Sequence, residues 1–244
     1  MAEAFLWGLA AASTLLVGAL IAEARPPSTR TLGLVMGFGS GVLLSAVAYE
    51  LVEEALDTAG DLRSVVSGLF AGTAVFTIGD LAVSRLGYRD RKPIHGTPTE
   101  ASPLTIVLGS LLDGIPESAV LGLTLLQTES ISVAMLAAVL ISNLPEGMAA
   151  TAGLRASGWT LSAVVTLWSG IALASALAAG LGYAALDGAS SDLLAFILAF
   201  AGGAVLTMLA TSMMPEAYEH AGRSVGVLTV LGFTLAFVIA SLEG

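Results

Sequence analysis

Two stretches decide the fold: Ser102–Leu126, SPLTIVLGSLLDGIPESAVLGLTLL, and Ser130–Leu154, SISVAMLAAVLISNLPEGMAATAGL. Each apolar run exceeds the about 20 residues that a helix needs to cross a bilayer. Each is broken near its middle by a proline followed by a glutamate. The two motifs are Asp113-Gly114-Ile115-Pro116-Glu117-Ser118 and Ser142-Asn143-Leu144-Pro145-Glu146-Gly147.

Outward from this pair, the same kind of run recurs along the chain. Ala4–Ala22, Thr31–Tyr49, Leu193–Pro215 and Ser224–Leu242 are uncharged, Ala156–Leu186 is longer than one span, and Ser64–Ser84 carries Asp80. The reading is all-α: a polytopic membrane protein of eight transmembrane helices, at about 4–22, 31–54, 64–86, 102–126, 130–154, 160–183, 192–215 and 224–242. They form one domain over 1–244, with no room between them for a soluble one. The first run has no Lys or Arg ahead of its apolar part, so it reads as helix 1 rather than a signal peptide.

Composition agrees. Of 244 residues, 56% are AVILMFWYC and 28 are Gly, while only 11% are charged, against about 25% charged in soluble domains. So few charges cannot cover a water-facing surface, which excludes a soluble enzyme. A net charge of −10 offers nucleic acid no basic surface. The absence of Cys excludes disulfides, thiolate metal sites and thiol nucleophiles.

With eight helices, the loops after helices 1, 3, 5 and 7 hold Arg25, Arg30, Arg85, Arg89, Arg91, Lys92, Arg155 and Arg223, and the opposite side holds only Arg63. That positive-inside bias puts the Gly87–Ala101 loop in the cytoplasm and both termini outside a cell membrane. In phase, Phe38-Gly39-Ser40-Gly41-Val42-Leu43 of helix 2 matches Phe200-Ala201-Gly202-Gly203-Ala204-Val205 of helix 7, with Glu54-Ala55 opposite Glu216-Ala217. Helices 4 and 5 form the second matched pair, through their Pro-Glu motifs. Within each pair the members run in opposite directions. Inverted repeats around a central helix 4/helix 5 pair are a recurring construction of secondary transporters.

The motifs also limit the chemistry. Asp113 and Glu117 lie four apart on one helix face, as do Ser142 and Glu146, with Asn143 three before Glu146. Pro116 and Pro145 cannot donate to the carbonyls of Leu112 and Ile141. An acid at a helix centre costs roughly 2.5–3.5 kcal/mol on the insertion scale, so Asp113, Glu117 and Glu146 together cost about 8–10 kcal/mol. No cation lies at that depth to offset them, leaving protonation, water or a bound cation. Carboxylate, amide and carbonyl oxygens suit a divalent cation, a hard one especially.

These motifs, the eight spans with both ends outside and the Gly-rich helix 2 resemble the ZIP (Zrt/Irt-like) divalent-metal transporters, as a divergent bacterial-type member. The resemblance implies a metal centre on helices 4 and 5, with Glu117 and Glu146 as ligands and Pro116 and Pro145 as the kinks. Asp113 stands where the family usually has a His ligand and keeps a donor oxygen, whereas Gly114 loses the expected Asn. Ser142 replaces the first polar position of helix 5, and Asn143 fills the second and can still coordinate. Helix 6 offers no acid after Ser169-Gly170, so a second metal position looks dismantled.

The expected function is therefore passage of a divalent cation (zinc, manganese or iron(II)) into the cytoplasm through a metal site of Asp113, Glu117, Asn143, Glu146 and Ser142. The metal is the transported substrate, no cofactor is implied, and the protein is not an enzyme. The alternatives are a ZIP-like chain that senses metal or supports structure without transporting it, and an intramembrane hydrolase, which would need His within the spans. Expected partners are divalent cations and the lipid bilayer, not nucleic acid. The Gly-x-x-x-Gly spacings at Gly33, Gly37, Gly41, Gly68 and Gly72 permit close helix packing, within one chain or in a homodimer. Glu50, Glu53, Glu54, Asp57 and Asp61 read as a cation-gathering mouth or a solvated loop. His95 reads as an inert loop residue, His220 as part of a solvated helix end, and Met213-Met214 as apolar filler.

Overall fold

The computed structural model describes residues 1–85, 103–128 and 132–243, and every regular element among them is helical. The long helices are α1 (Ala2–Ala24), α2 (Thr29–Thr58), α3 (Leu62–Arg85), α4 (Pro103–Thr128), α5 (Val133–Ala156), α6 (Leu161–Leu186), α7 (Ser191–Ala221) and α8 (Ser224–Glu243). Seven of them, α1 to α3 and α5 to α8, are long and apolar enough to cross a membrane. The Gly87–Ala101 loop, His95 included, lies outside the described residues.

Hydroxyl caps set where helices begin. Ser28, Ser132, Thr160 and Ser190 each accept a hydrogen bond from the backbone N–H three residues on, satisfying a donor that the first turn cannot. The turns after α5, α6 and α7 contain Gly158, Gly188 and Gly222, all at positive φ, where a side chain would be strained.

α2 and α7 are longer than the hydropathy pattern suggests. Each continues past its apolar run into an acidic segment, and each passes through a π-helical stretch, at Val47–Glu53 and Leu209–Met213. The apolar pattern ends near Glu54 and Pro215, because charged residues look like loop where hydropathy is the only guide. The π turns keep the backbone bonded, so the chain stays helical to Thr58 and Ala221.

Non-neighbouring helices pair closely. α1 packs on α5, α2 on α8, α3 on α7 and α4 on α6, while α1 also crosses α6 and α2 crosses α7. The contacts rest on missing side chains. A Cβ at Gly41 would overlap the carbonyl oxygen of Thr229, and one at Gly203 that of Leu69; Gly232 sits on the Phe38 carbonyl and Gly72 on that of Phe200. Gly18 and Gly147 interlock α1 and α5 over Leu144 and Leu15. Small residues in such seams let backbones approach where lipid supplies no hydrophobic drive to associate. Thr229 Oγ1 adds a bond to the Gly37 carbonyl at 3.0 Å, and buried Trp168 Nε1 donates to Thr151 Oγ1 at 2.9 Å.

The helices thus form two groups, α1/α4/α5/α6 and α2/α3/α7/α8, meeting where α2 faces α5 and α4 faces α7. α4 and α5 touch each other at the seam, and each packs more extensively within its own group, α4 on α6 and α5 on α1. The outer faces of α3 and α8 carry exposed Phe70, Ile78, Val230 and Leu242, as lipid-facing surfaces do.

Candidate functional site

A cavity of about 20 Å³ lies at the seam between the two groups, space for about one water. Glu117 of α4 lines it together with Ser142, Pro145 and Glu146 of α5. Two carboxylates from different helices therefore reach one small volume. Glu117 is 1% exposed, placed there because Ser110, Gly114, Glu117, Ser118 and Leu121 share the buried face of α4. Ser118 Oγ turns back to the Gly114 carbonyl at 2.7 Å.

On α5, Pro145 sits inside an unbroken helix and leaves the Ile141 carbonyl without its helical donor. Gly39 of α2 lies alongside: a Cβ there would stand 3.6 Å from the Ile141 oxygen and 3.2 Å from Met213 Cε. Ser142 is buried and donates to the Val139 carbonyl at 3.1 Å, which leaves its own oxygen able to accept or ligate.

Asn143 faces elsewhere. Its Nδ2 donates to the Ala11 carbonyl of α1 at 3.2 Å, and it does not line the cavity. Its Oδ1 is buried with no hydrogen-bond partner among the described residues. Gly114, the equivalent position three before Glu117, likewise faces the neighbouring helix, 3.9 Å from Ser175 Oγ of α6 for a built Cβ. Three residues before the glutamate is the face that packs within the group, not the one toward the seam. The side chains of Asp113 and Pro116 lie outside the described residues. Among the described residues no cluster of three His, Cys, Asp or Glu could hold a metal ion.

The opposite wall is made by α2 and α7, which contribute Met36, Met208, Ser212 and Met213. None of the four stands out in the sequence, where Met213 reads as apolar filler. One signal was available: Pro215-Glu216 is a third Pro-Glu pair, shortly after Ser212 and Met213. Glu216 itself is buried, 5% exposed, and Ala217 and His220 pack against Gly33 of α2, so this helix end is not simply solvated.

A second cavity, about 360 Å³, lies further along the same α2–α5 contact toward the Arg-rich end, between Leu32, Met148, Thr151 and the Pro26-Pro27 bend. At its mouth Arg155 grips Glu23 with two bonds, Nε to Oε2 at 2.9 Å and Nη2 to Oε1 at 3.1 Å, and also donates to the Trp159 carbonyl.

No family profile matches the chain. It is similar to a protein of Arabidopsis thaliana named "Putative zinc transporter", with 28% identity over 196 residues. The match takes in 79% of this chain and 31% of that protein, so the chain spans about a third of the relative's length.

Proposed function

We propose that this protein is a ZIP-like carrier that moves a divalent metal cation across a cell membrane into the cytoplasm, binding it at Glu117 and Glu146. The observation that carries the reading is the convergence of these carboxylates, from two Pro-Glu motifs, on one buried cavity. Two acids at membrane depth need a compensating charge, proton or water, and a cation supplies the charge. Ser142 and the freed Ile141 carbonyl add oxygen donors. Asp113, four before Glu117, is the remaining candidate on α4, and Asn143 serves as a brace between α5 and α1.

In this reading α4 is an eighth span, and the chain is built from inverted repeats relating α1, α2, α3 and α4 to α6, α7, α8 and α5. The reciprocal contacts support it. Gly41 on Thr229 corresponds to Gly203 on Leu69, and Gly232 on Phe38 to Gly72 on Phe200. The π segments fall in the same register, each ahead of a Glu-Ala pair. The larger cavity, with Glu23 and Arg155 at its mouth, supports an inward way out on the side where Lys and Arg are concentrated. The name of the Arabidopsis relative supports metal as the cargo, and no step calls for covalent chemistry.

The test is uptake of Zn²⁺, Cd²⁺, Mn²⁺ and Fe²⁺ into proteoliposomes by the purified chain. Uptake of at least one above protein-free vesicles is expected. Saturable binding without any uptake would instead make the chain a sensor.

A further inference from the structure

The cavity has two chemically different walls. α4 and α5 present carboxylate and hydroxyl oxygen, while α2 and α7 present Met36, Met208 and Met213. The chain has 7 Met in all, and three of them meet here, 1%, 5% and 9% exposed. Met as filler is unfavourable at such a density, since burying it costs more side-chain entropy than burying Leu. A three-fold use of the costlier residue around two acids calls for a property that Leu lacks. The thioether has one: a soft, polarisable sulfur with a lone pair.

Coordination number points the same way. Calcium takes about six to eight oxygens, and magnesium demands a near-octahedral set with several retained waters. A cavity of about 20 Å³ has no space for several retained waters beside the ion, and a hard ion would need every oxygen of Glu117, Glu146, Ser142 and Ser212 turned onto it at once. A borderline or soft cation is content with about four donors, and two carboxylates with one or two sulfurs complete such a set.

Resting on the carrier function proposed above, we propose that the thioethers of Met36, Met208 and Met213 ligate the cargo and make the site selective for sulfur-binding divalent cations over hard ones. This goes beyond the expectation from Asp113, Glu117 and Glu146 alone, an oxygen site that suits hard cations and leaves zinc, manganese and iron(II) open. The oxygen wall attracts the charge, and the sulfur wall decides which ion stays. Gly39 keeps the Met213 methyl free to shift, since only a hydrogen lies beneath it.

The experiment compares wild type with the triple variant Met36→Leu, Met208→Leu, Met213→Leu. Exchanging Met for Leu conserves volume and is tolerated in cores. Cd²⁺ and Mn²⁺ compete for uptake into proteoliposomes. The Cd²⁺-over-Mn²⁺ preference of wild type should fall by about tenfold or more in the variant, the scale on which altered metal surroundings act. An unchanged preference overturns the proposal. X-ray absorption on Cd²⁺-loaded protein gives a readout independent of transport: sulfur around cadmium in wild type and only oxygen or nitrogen in the variant. If wild type takes up none of Zn²⁺, Cd²⁺, Mn²⁺ and Fe²⁺, the carrier function fails, and the spectrum alone decides the sulfur claim. Oxygen-only scattering from wild type overturns it.

Discussion

Glu117 and Asn143 show how differently two polar residues at membrane depth behave. Glu117 lines the seam cavity, where the proposed carrier function makes it a ligand. Asn143 ties α5 to the Ala11 carbonyl of α1 at 3.2 Å, and interhelical bonds of this kind are worth about 0.6 kcal/mol on average and up to about 1.7. Asn143→Leu is therefore expected to lower the thermal midpoint in detergent while leaving the order of cation preference as it is. A changed order in the competition assay would return Asn143 to the ligand set. Glu117 and Glu146 were legible in the sequence because proline and acid are both rare in a membrane helix, and their coincidence in two spans is rarer still. Asn143 bonds α1 instead of lining the cavity for a geometric reason: three residues is close to one turn but points off the shared face, and which neighbour stands there is a tertiary fact. Met36, Met208 and Met213 were illegible because apolar residues at helical spacing mark every span alike.

Among the elements, the glycines of α2 divide by direction. Gly41 meets the backbone of Thr229, where nothing can give way, whereas Gly39 meets the flexible end of Met213. Gly41 and Gly203 lock α2 to α8 and α7 to α3. Gly41→Ala and Gly203→Ala should yield little monodisperse protein after extraction. Gly39→Ala should extract normally and slow uptake by crowding the Met213 methyl. Size-exclusion profiles of the three variants check this, and a normal profile for Gly41→Ala would contradict the locked seam. The glycine repeats announced close packing, but their partners come from helices far off in the chain. The π segments left no mark in hydropathy either. Their equivalent register in α2 and α7, each ahead of a Glu-Ala pair, ties them to the carboxylates Glu54 and Glu216, one half-buried and one buried. π turns recur at functional sites.

For the whole molecule, the sequence carried the class of fold because the bilayer imposes it: few charges, long apolar runs and a one-sided Lys/Arg distribution. The grouping of α1/α4/α5/α6 against α2/α3/α7/α8 it did not carry, since hydropathy says which residues avoid water and nothing about which helix they meet. The proposed orientation is open to a direct check, because the chain has no Cys. Single cysteines at Asp187, an exposed residue in the turn after α6, and at Thr97 should react with an impermeant reagent from opposite faces of the membrane; reaction from one face would undo both the topology and the inverted repeats. The central claim, that Glu117 and Glu146 jointly hold a cation on its way across, is tested most directly by metal uptake into proteoliposomes by wild type, Glu117→Gln and Glu146→Gln, each first shown to be folded and correctly inserted. The exchange keeps shape and removes only charge, so uptake in each variant should fall by about 100-fold or more, beyond what loss of a merely orienting partner costs. Uptake by Glu146→Gln or Glu117→Gln at the wild-type rate would contradict it.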